Sequence, residues 1–313
     1  MNGLELSRGF FEEFGRPMLE NDFSGLLPFL AAGLIGSGSE CSGFDDAVSE
    51  DHDFEPGFCI FIPNENVPDR RDAFLLERAY AKLPREYEGY TRPLMQPAGG
   101  ARRGVILLSD FIHERTGTYD GRLSVEQWFS TPEQDLFELT GGELYFDNFG
   151  LLSRVREELI YYPEDIRRKK LAGQLLLMAQ SGQYNFLRCY DHGEPAAAQL
   201  AVFEFVKSCT AVIFLLNRKY RPYYKWCFRA MRDLPLLADT AELLESLMTS
   251  PNTAETVIGK ADLIEEAAGR VIRELIAQQL TKASCGDLEK HAYSVNDTVG
   301  SPSIRNLHIL TAI

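Results

Sequence analysis

The chain divides near residue 150 into two stretches of different hydrophobic periodicity. Before that point, short apolar runs such as Leu30 to Ile35 and Phe58 to Ile62 alternate with turns, which is typical of buried strands. After it, apolar residues recur at helical spacing over long segments. These patterns predict an α+β fold, in which a domain with a small mixed sheet (residues 1–150) precedes an all-helical bundle domain (residues 151–313).

Individual elements can also be predicted. The apolar runs Val105 to Leu108 and Glu143 to Phe146 predict further strands, and Asp69 to Leu83 has helical spacing that stops before a proline. The second domain should contain long helices at about Pro163 to Arg188, Glu194 to Tyr220, Thr240 to Met248 and Thr253 to Leu280. Beyond Ser284 the sequence is polar, and we expect an irregular tail there.

The first apolar run leads into a glycine–serine loop, Gly36-Ser37-Gly38-Ser39. Glycine tolerates positive φ angles and lets a phosphate group approach the backbone closely. Free backbone amides and a hydroxyl at the start of a helix form an anion site. The loop is therefore a candidate binding site for phosphate.

An Asp-x-Asp pair, Asp51 and Asp53, follows this loop and precedes the next apolar run. Alternate side chains of a strand share a face, so the two carboxylates should project together and suit a hard cation such as magnesium. Taken alone, Gly-Ser-Gly is a common turn and Asp-x-Asp is often a solvated strand end. The order of the two elements between apolar runs favours one joint site, which a purely structural helical-bundle protein would leave unexplained.

These residues resemble the signature of the DNA polymerase beta-like nucleotidyltransferase superfamily, in which Gly-Ser, a short spacer and Asp-x-Asp follow one another. Within that superfamily, the chain resembles an uncharacterised bacterial family that is catalogued as a domain of unknown function. The residues that carry the narrower resemblance are Gly36 to Glu40, Gly43 to Asp46, Ser49 to Phe54, Pro132 to Gln134, Glu138 to Thr140, Tyr162-Pro163 and Tyr223 to Trp226. The resemblance covers most of residues 20–235.

The resemblance implies a nucleotidyltransferase domain in the N-terminal half. Its glycine–serine loop would hold the triphosphate, chiefly through Gly38 and Ser39, and Asp51 and Asp53 would be the catalytic residues that bind Mg²⁺. A hydroxyl of a small-molecule or protein acceptor would attack the α-phosphorus of a nucleoside triphosphate, with ATP as the expected donor, and pyrophosphate would leave. Positioning and charge neutralisation would supply most of the catalysis.

Active members of the superfamily usually carry a third acidic residue on a later strand, where it binds metal or acts as a general base. The predicted strand Val105 to Leu108 has no acid. Asp110 follows that strand, while Glu143 and Asp147 flank the next one, and Asp147 resembles an aspartate often seen in relatives. All three remain candidates. If none reached the site, the chain would be a catalytically degenerate nucleotide-binding sensor or partner protein.

A basic stretch, residues 218–232, interrupts an otherwise acidic chain and contains Arg218, Lys219, Arg221, Lys225, Arg229 and Arg232, interleaved with aromatic residues. One interpretation is a solvated helix end with aromatic packing. The other is a basic face that meets the triphosphate, because related nucleotidyltransferases with a helical second domain place a lysine there, here Lys225. The other basic run, Arg167 to Lys170, is interpreted as a solvated face.

Charge and composition constrain partners and location. The formal net charge is −14, and an acidic body repels phosphate backbones, so duplex nucleic acid is not expected as a partner. The N-terminus has mixed charge rather than the character of a signal peptide, which predicts a cytoplasmic protein without a membrane partner. The six cysteines are scattered without a C-x-x-C pair, so neither a disulfide framework nor a zinc-type site is expected.

Overall fold

The computed structural model describes residues 1–46, 48, 54–63, 69–92 and 103–313. The chain forms two compact units. The first comprises Met1–Leu123 and Thr131–Ile160, and the second comprises Ser124–Ser130 and Tyr161–Ile313. The short segment Ser124–Ser130 thus packs with the helical unit, although it lies between two parts of the first unit along the chain.

The first unit has a small mixed sheet as its centre. Its strands are β1 (Ala31–Leu34), β2 (Cys59–Ile62), β3 (Glu86–Tyr87), β4 (Tyr90–Thr91), β5 (Gly104–Leu107) and β6 (Glu143–Asp147). The main sheet has the order β5-β2-β1-β6, while β3 and β4 form a separate hairpin. Strand β1 is antiparallel to both of its neighbours, and β2 is parallel to β5. The coarse α+β class and the four predicted strands are confirmed, each strand within one residue of its expected bounds.

Short helices surround this sheet. In chain order up to residue 160 they are α1 (Gly3–Phe10), α2 (Arg16–Asp22), α3 (Ser39–Ser42), α4 (Arg70–Ala81), α5 (Leu108–Thr116), α6 (Val125–Ser130), α7 (Glu133–Thr140) and α8 (Leu151–Glu158). Of these, α6 belongs to the second unit. Aromatic rings from α1, the π-helical turn after it and the residue before β2 fill the core; they include Phe10, Phe11 and Phe58, which are fully buried. The central strands form because β1 and β2 consist of small or apolar residues that are buried throughout.

Strand β1 approaches β6 unusually closely at Gly33. A Cβ atom at this position would overlap the carbonyl oxygen of Glu143 and lie 3.0 Å from the Cα of Leu144. The register of the two strands also shifts between Ala32 and Gly33. Only glycine fits here without moving one strand.

We therefore expect Gly33→Ala to lower the free energy of unfolding of the first unit by about 2 kcal/mol, because an added methyl group overpacks the sheet. Hydrogen exchange followed by mass spectrometry should show amides of β1 and β6 exchanging about 30-fold faster, the equivalent of that energy. Gly25→Ala is the matched control, since no atom lies within 4 Å of a Cβ there. Unchanged exchange in Gly33→Ala would contradict the close approach.

The second unit is helical. Its remaining helices are α9 (Glu164–Met178), α10 (Phe186–Asp191), α11 (Pro195–Leu216), α12 (Tyr224–Arg232), α13 (Thr240–Thr249), α14 (Val257–Ala277), α15 (Leu288–Asp297) and α16 (Pro302–Arg305). A π-helical turn, Ala179–Asn185, joins α9 to α10. The predicted long helix after Pro163 is therefore confirmed as a continuous helical segment that contains a π-bulge. The other predicted long helices correspond to α11, α13 and α14.

The expected irregular tail beyond Ser284 is wrong. Helix α15 lies there and packs on α9. Its buried residues Leu288, Ala292 and Val295 are spaced four and three apart, so they form one apolar helical face. The scattered polar residues between them hid this face in the sequence.

The interpretation of Arg167 to Lys170 as a solvated face is also wrong for half of the run. Arg167 and Lys169 are fully buried, because their apolar stems pack in the bundle while their charged ends find oxygen partners. Arg167 donates to Glu164 and to the carbonyl of Leu215. Lys169 donates to three oxygens near the C-terminus.

In the described residues, α11 is the helix that is long and apolar enough to cross a membrane by length and composition. However, 72% of its apolar window is buried inside the unit. This burial is consistent with the core helix of a soluble protein, and the cytoplasmic location stays a prediction.

Candidate active site

The glycine–serine loop follows directly from the end of β1. Gly36 and Gly38 both have φ +124°, and Gly43 has φ +68° at the end of α3. Residues that carry a Cβ atom rarely adopt such φ angles, so the loop conformation requires glycine at these positions. Ser37 and Ser39 lie beside these glycines and are half-buried. The loop thus has a backbone conformation that depends on its glycines, and phosphate binding there stays a prediction.

The direction of the strands determines which residues share the edge of the sheet with this loop. Because β2 and β6 are antiparallel to β1, both begin where β1 ends, and β5 begins there as well because it is parallel to β2. The thiol of Cys59, at the start of β2, lies 3.8 Å from the carbonyl oxygen of Ile35. We refer to this side of the sheet as the loop edge.

Asp51 and Asp53 lie outside the described residues. Their predicted role as catalytic metal ligands therefore stays a prediction. The first described residue after them is Phe54, which is buried and contacts the ring of Tyr90. From there the chain leads through Gly57 into β2 at the loop edge.

Strand direction separates the three candidates for a third acid. Glu143 opens β6 opposite Leu34, at the loop edge. Asp147 lies at the other end of β6, where it accepts hydrogen bonds from backbone amides after the strand. Asp110 lies in the first turn of α5, which begins after β5 has crossed the sheet to that far end. Only Glu143 of the three has a position suited to the loop.

The carboxylate of Glu143 is not isolated. It forms an ion pair with Arg8 of α1, whose side chain is 58% exposed, whereas that of Glu143 is 22% exposed. An ion pair with one well-solvated partner contributes little to stability and can open at low cost. Glu143 could serve as a metal ligand or general base only in the open arrangement.

A buried charge pair lies directly against the loop. The carboxylate of Glu40, in α3, accepts a hydrogen bond from Arg103, the residue before β5, and both side chains are more than 90% buried. The same carboxylate lies against the α-carbon of Gly38, where any side chain would overlap it. Buried charges are tolerated only when they are paired, so this contact ties α3 to the start of β5.

Cys41 also lies in the loop region, but it is no nucleophile. Its thiol is buried and donates to the carbonyl oxygen of Ser37 over 3.5 Å. Burial raises the pKa of Cys41 to about 12, although the nearby Arg103 guanidinium opposes this effect. The residue is therefore a neutral thiol at physiological pH.

Helix α1 supports the segment that follows the loop. The amide of Gly3 donates to the carboxylate of Asp45 over 2.9 Å. The hydroxyl of Ser7 donates to the carbonyl oxygen of Gly57 and accepts from the hydroxyl of Tyr145, both over 2.6 Å. These contacts hold the chain on either side of residues 46–56, the segment that contains the two aspartates.

Arg115, in the last turn of α5, also comes close to the loop. Its Nη2 lies 3.3 Å from the position of a Cβ at Gly36. The guanidinium lies over the ring of Phe111 at 3.9 Å, and its Nη1 donates to the carbonyl oxygen of the same residue. Helix α7 packs beside it and places the ring of Phe137 parallel to that of Phe44, with centroids 6.5 Å apart.

Sequence reasoning did not single out Arg103 or Arg115. Each lies more than 60 residues from the loop in the sequence. Neither belongs to a motif. Arg103 comes to the loop edge because β5 begins there, and Arg115 because α5 runs back toward it.

The structure places Lys225 in α12 of the second unit. Its side chain is exposed, and its Nζ lies 4.9 Å from the centre of the Trp226 ring. Other members of the basic stretch have structural partners, since Arg218 pairs with Glu164 and Arg232 with Glu245. The predicted contact of Lys225 with a triphosphate stays a prediction.

Within the described ranges, no group of three or more His, Cys, Asp or Glu side chains could together hold a metal ion. At the loop edge, Glu143 is paired with Arg8 and Glu40 with Arg103. A magnesium site here would therefore depend on Asp51 and Asp53, whose carboxylates have the chemistry that magnesium prefers.

Comparison with known families gives one match. Residues 128–227 match a family described as a domain of unknown function (DUF4037). This agrees with the expected resemblance to an uncharacterised family, and the matched region contains α7, Glu143 and Lys225. It does not contain the glycine–serine loop or the Asp-x-Asp pair. No curated protein and no solved structure matches the chain.

Proposed function

We propose that this chain is a magnesium-dependent nucleotidyltransferase, which transfers a nucleoside monophosphate from a triphosphate such as ATP to a hydroxyl of a small molecule or protein. The observation that carries the proposal is the loop between antiparallel strands β1 and β2. Its glycines at positions 36 and 38 both have positive φ, and the Asp-x-Asp pair lies between this loop and β2 in the sequence. The parallel strand β5 beside β2 is consistent with the same arrangement.

In this proposal the loop binds the phosphates. Backbone amides around Gly38, with the hydroxyls of Ser37 and Ser39, donate hydrogen bonds to phosphate oxygens. Magnesium, bound by Asp51 and Asp53, would neutralise the negative charge of the triphosphate. The network of α1 with Asp45 and Gly57 would hold the aspartate segment beside the loop.

Glu143 is the proposed third acid, because it is the candidate at the loop edge. Release from Arg8 would let its carboxylate accept the proton of the attacking hydroxyl.

One observation favours the second candidate, a catalytically degenerate nucleotide-binding sensor or partner protein. Among the described residues, the acid with the best position, Glu143, is already paired with Arg8. If that pair persisted with nucleotide bound, Glu143 would not be available as a general base, and the chain would bind nucleotide without turning it over.

Calorimetric titration tests the proposal directly. The wild-type protein should bind ATP or another nucleoside triphosphate in the presence of magnesium and at least about 10-fold more weakly in excess chelator, since the metal screens the phosphate charge. Pyrophosphate release in the presence of candidate acceptors then separates an enzyme from a sensor. Absence of binding by all four ribonucleoside triphosphates, with and without magnesium, would contradict both candidates.

A further inference from the structure

We propose that Arg115 is a phosphate-binding residue of the glycine–serine loop, and that it binds anions without the help of a metal. The inference rests on the proposed function only in placing the phosphates of a nucleotide at this loop. It assigns a role to a side chain that no sequence motif identified.

The position of Arg115 is the first argument. It lies in the last turn of α5, and its Nη2 lies 3.3 Å from the position that a Cβ atom would take at Gly36. A phosphate group held by the amides of the loop would lie in the same region.

The orientation of the guanidinium is the second argument. One side of the group is fixed, because Nη1 donates to the carbonyl oxygen of Phe111 over 3.1 Å and the plane lies over that ring at 3.9 Å. The opposite edge carries the Nε–H and Nη2–H groups. This pair of parallel donors has the spacing that matches two oxygens of one phosphate.

The third argument is that the Nε–H group of this edge has no acceptor in the described part of the chain. Nε is buried and has no hydrogen-bond partner within the described ranges. Glu138 of α7 lies 4.0 Å from Nη2, beyond hydrogen-bonding distance. A buried donor without an acceptor is destabilising and is rare in native proteins unless water, an ion or a ligand satisfies it.

A structural alternative exists, in which Arg115 serves only to neutralise two nearby carboxylates, those of Glu138 and Glu114. The Oε2 of Glu114 lies 3.9 Å from Nη1, but that side chain is 76% exposed. Arg115 and Glu138 are 14% and 17% exposed, so the attraction between these two is weakly screened. The alternatives make different predictions for Glu138→Gln. Loss of the carboxylate should strengthen anion binding if the arginine binds phosphate, and should have no effect on anion binding if it does not.

Calorimetric titration with sodium tripolyphosphate in excess chelator tests the proposal. We expect the wild-type protein to bind tripolyphosphate. Arg115→Gln should bind at least about 10-fold more weakly, because one charge-assisted contact is lost. Glu138→Gln should bind about 3-fold more tightly, because the arginine then has no competing carboxylate at this position. Arg122→Gln is the control, since that arginine is 77% exposed and pairs with Asp120. The expected gain in Glu138→Gln cannot result from misfolding.

The outcomes separate this inference from the proposed function. Tripolyphosphate binding that depends on Arg115, without any magnesium-dependent binding of nucleotide, would support the inference and contradict the proposed function. Nucleotide and tripolyphosphate binding that are both unaffected by Arg115→Gln would overturn the inference alone. Failure of the wild-type protein to bind tripolyphosphate, or no gain in Glu138→Gln, would also overturn it.

Discussion

Replacement of Asp51 and Asp53 together by asparagine is expected to abolish magnesium-dependent nucleotide binding and to slow nucleotidyl transfer about 1000-fold. Asparagine keeps the size and shape of the side chains but removes both negative charges. Magnesium held by these residues would supply several kcal/mol of transition-state stabilisation by neutralising phosphate charge, and a loss of about 4 kcal/mol corresponds to that factor. Calorimetry with ATP and magnesium, followed by a pyrophosphate-release assay, measures the two effects.

The control for this variant must change the net charge equally. Asp22→Asn combined with Asp120→Asn is suitable, because both residues are exposed and neither belongs to the glycine–serine loop or to a strand. The control should retain wild-type affinity and rate. Full activity in the Asp51→Asn/Asp53→Asn protein would show that the metal ligands lie elsewhere, while tripolyphosphate binding through Arg115 should survive in it.

The second large effect is expected from Lys169→Met in the helical unit. Lys169 is fully buried in α9, and its ammonium group donates to the side-chain oxygen of Asn296 and the carbonyl oxygens of Arg305 and Leu307. Burial lowers the pKa of Lys169, because the charged form loses its hydration. The three acceptors compensate for that loss and attach the C-terminal segment to α9.

Methionine fills the same space but donates no hydrogen bond, so three acceptor oxygens lose the lysine as a donor, and the carbonyl of Arg305 keeps only Asn296. We expect the free energy of unfolding to fall by about 3 kcal/mol. Both tryptophans of the chain, Trp128 and Trp226, belong to the second unit, so tryptophan fluorescence in a urea titration reports on this unit. Lys290→Met, which replaces an exposed lysine, is the control and should change little.

The opposite result would also be informative. If Lys169→Met were as stable as the wild type, the cost of burying the charge would equal the value of its three hydrogen bonds, as is known for some buried ion pairs. The lysine would then contribute to the specificity of C-terminal docking rather than to stability. A second close contact supports docking at this position, because a Cβ at Gly173 of α9 would lie 2.9 Å from the carbonyl oxygen of Ile309.

The sequence by itself determined the four strands of the main sheet and the longest helices of this protein. Strands β1 and β2 follow from compact apolar runs, and α9 and α11 from helical spacing, because these signals arise between residues that are near in the chain. The positive φ angles of the glycines could be expected for the same reason, since glycine is the residue that usually occupies such angles in a turn. Where the local signal was diluted by polar residues, as in α15, the prediction failed.

Only the tertiary structure decided which residues meet. The choice of Glu143 over Asp110 and Asp147 depends on the direction in which β5 and β6 cross the sheet, and no local pattern encodes strand direction. The same holds for Arg103 and Arg115, which reach the loop because β5 begins at its edge and α5 brings Arg115 back to it. Burial of Lys169 was hidden for a related reason: a charged residue becomes a core residue only when distant segments supply its acceptors.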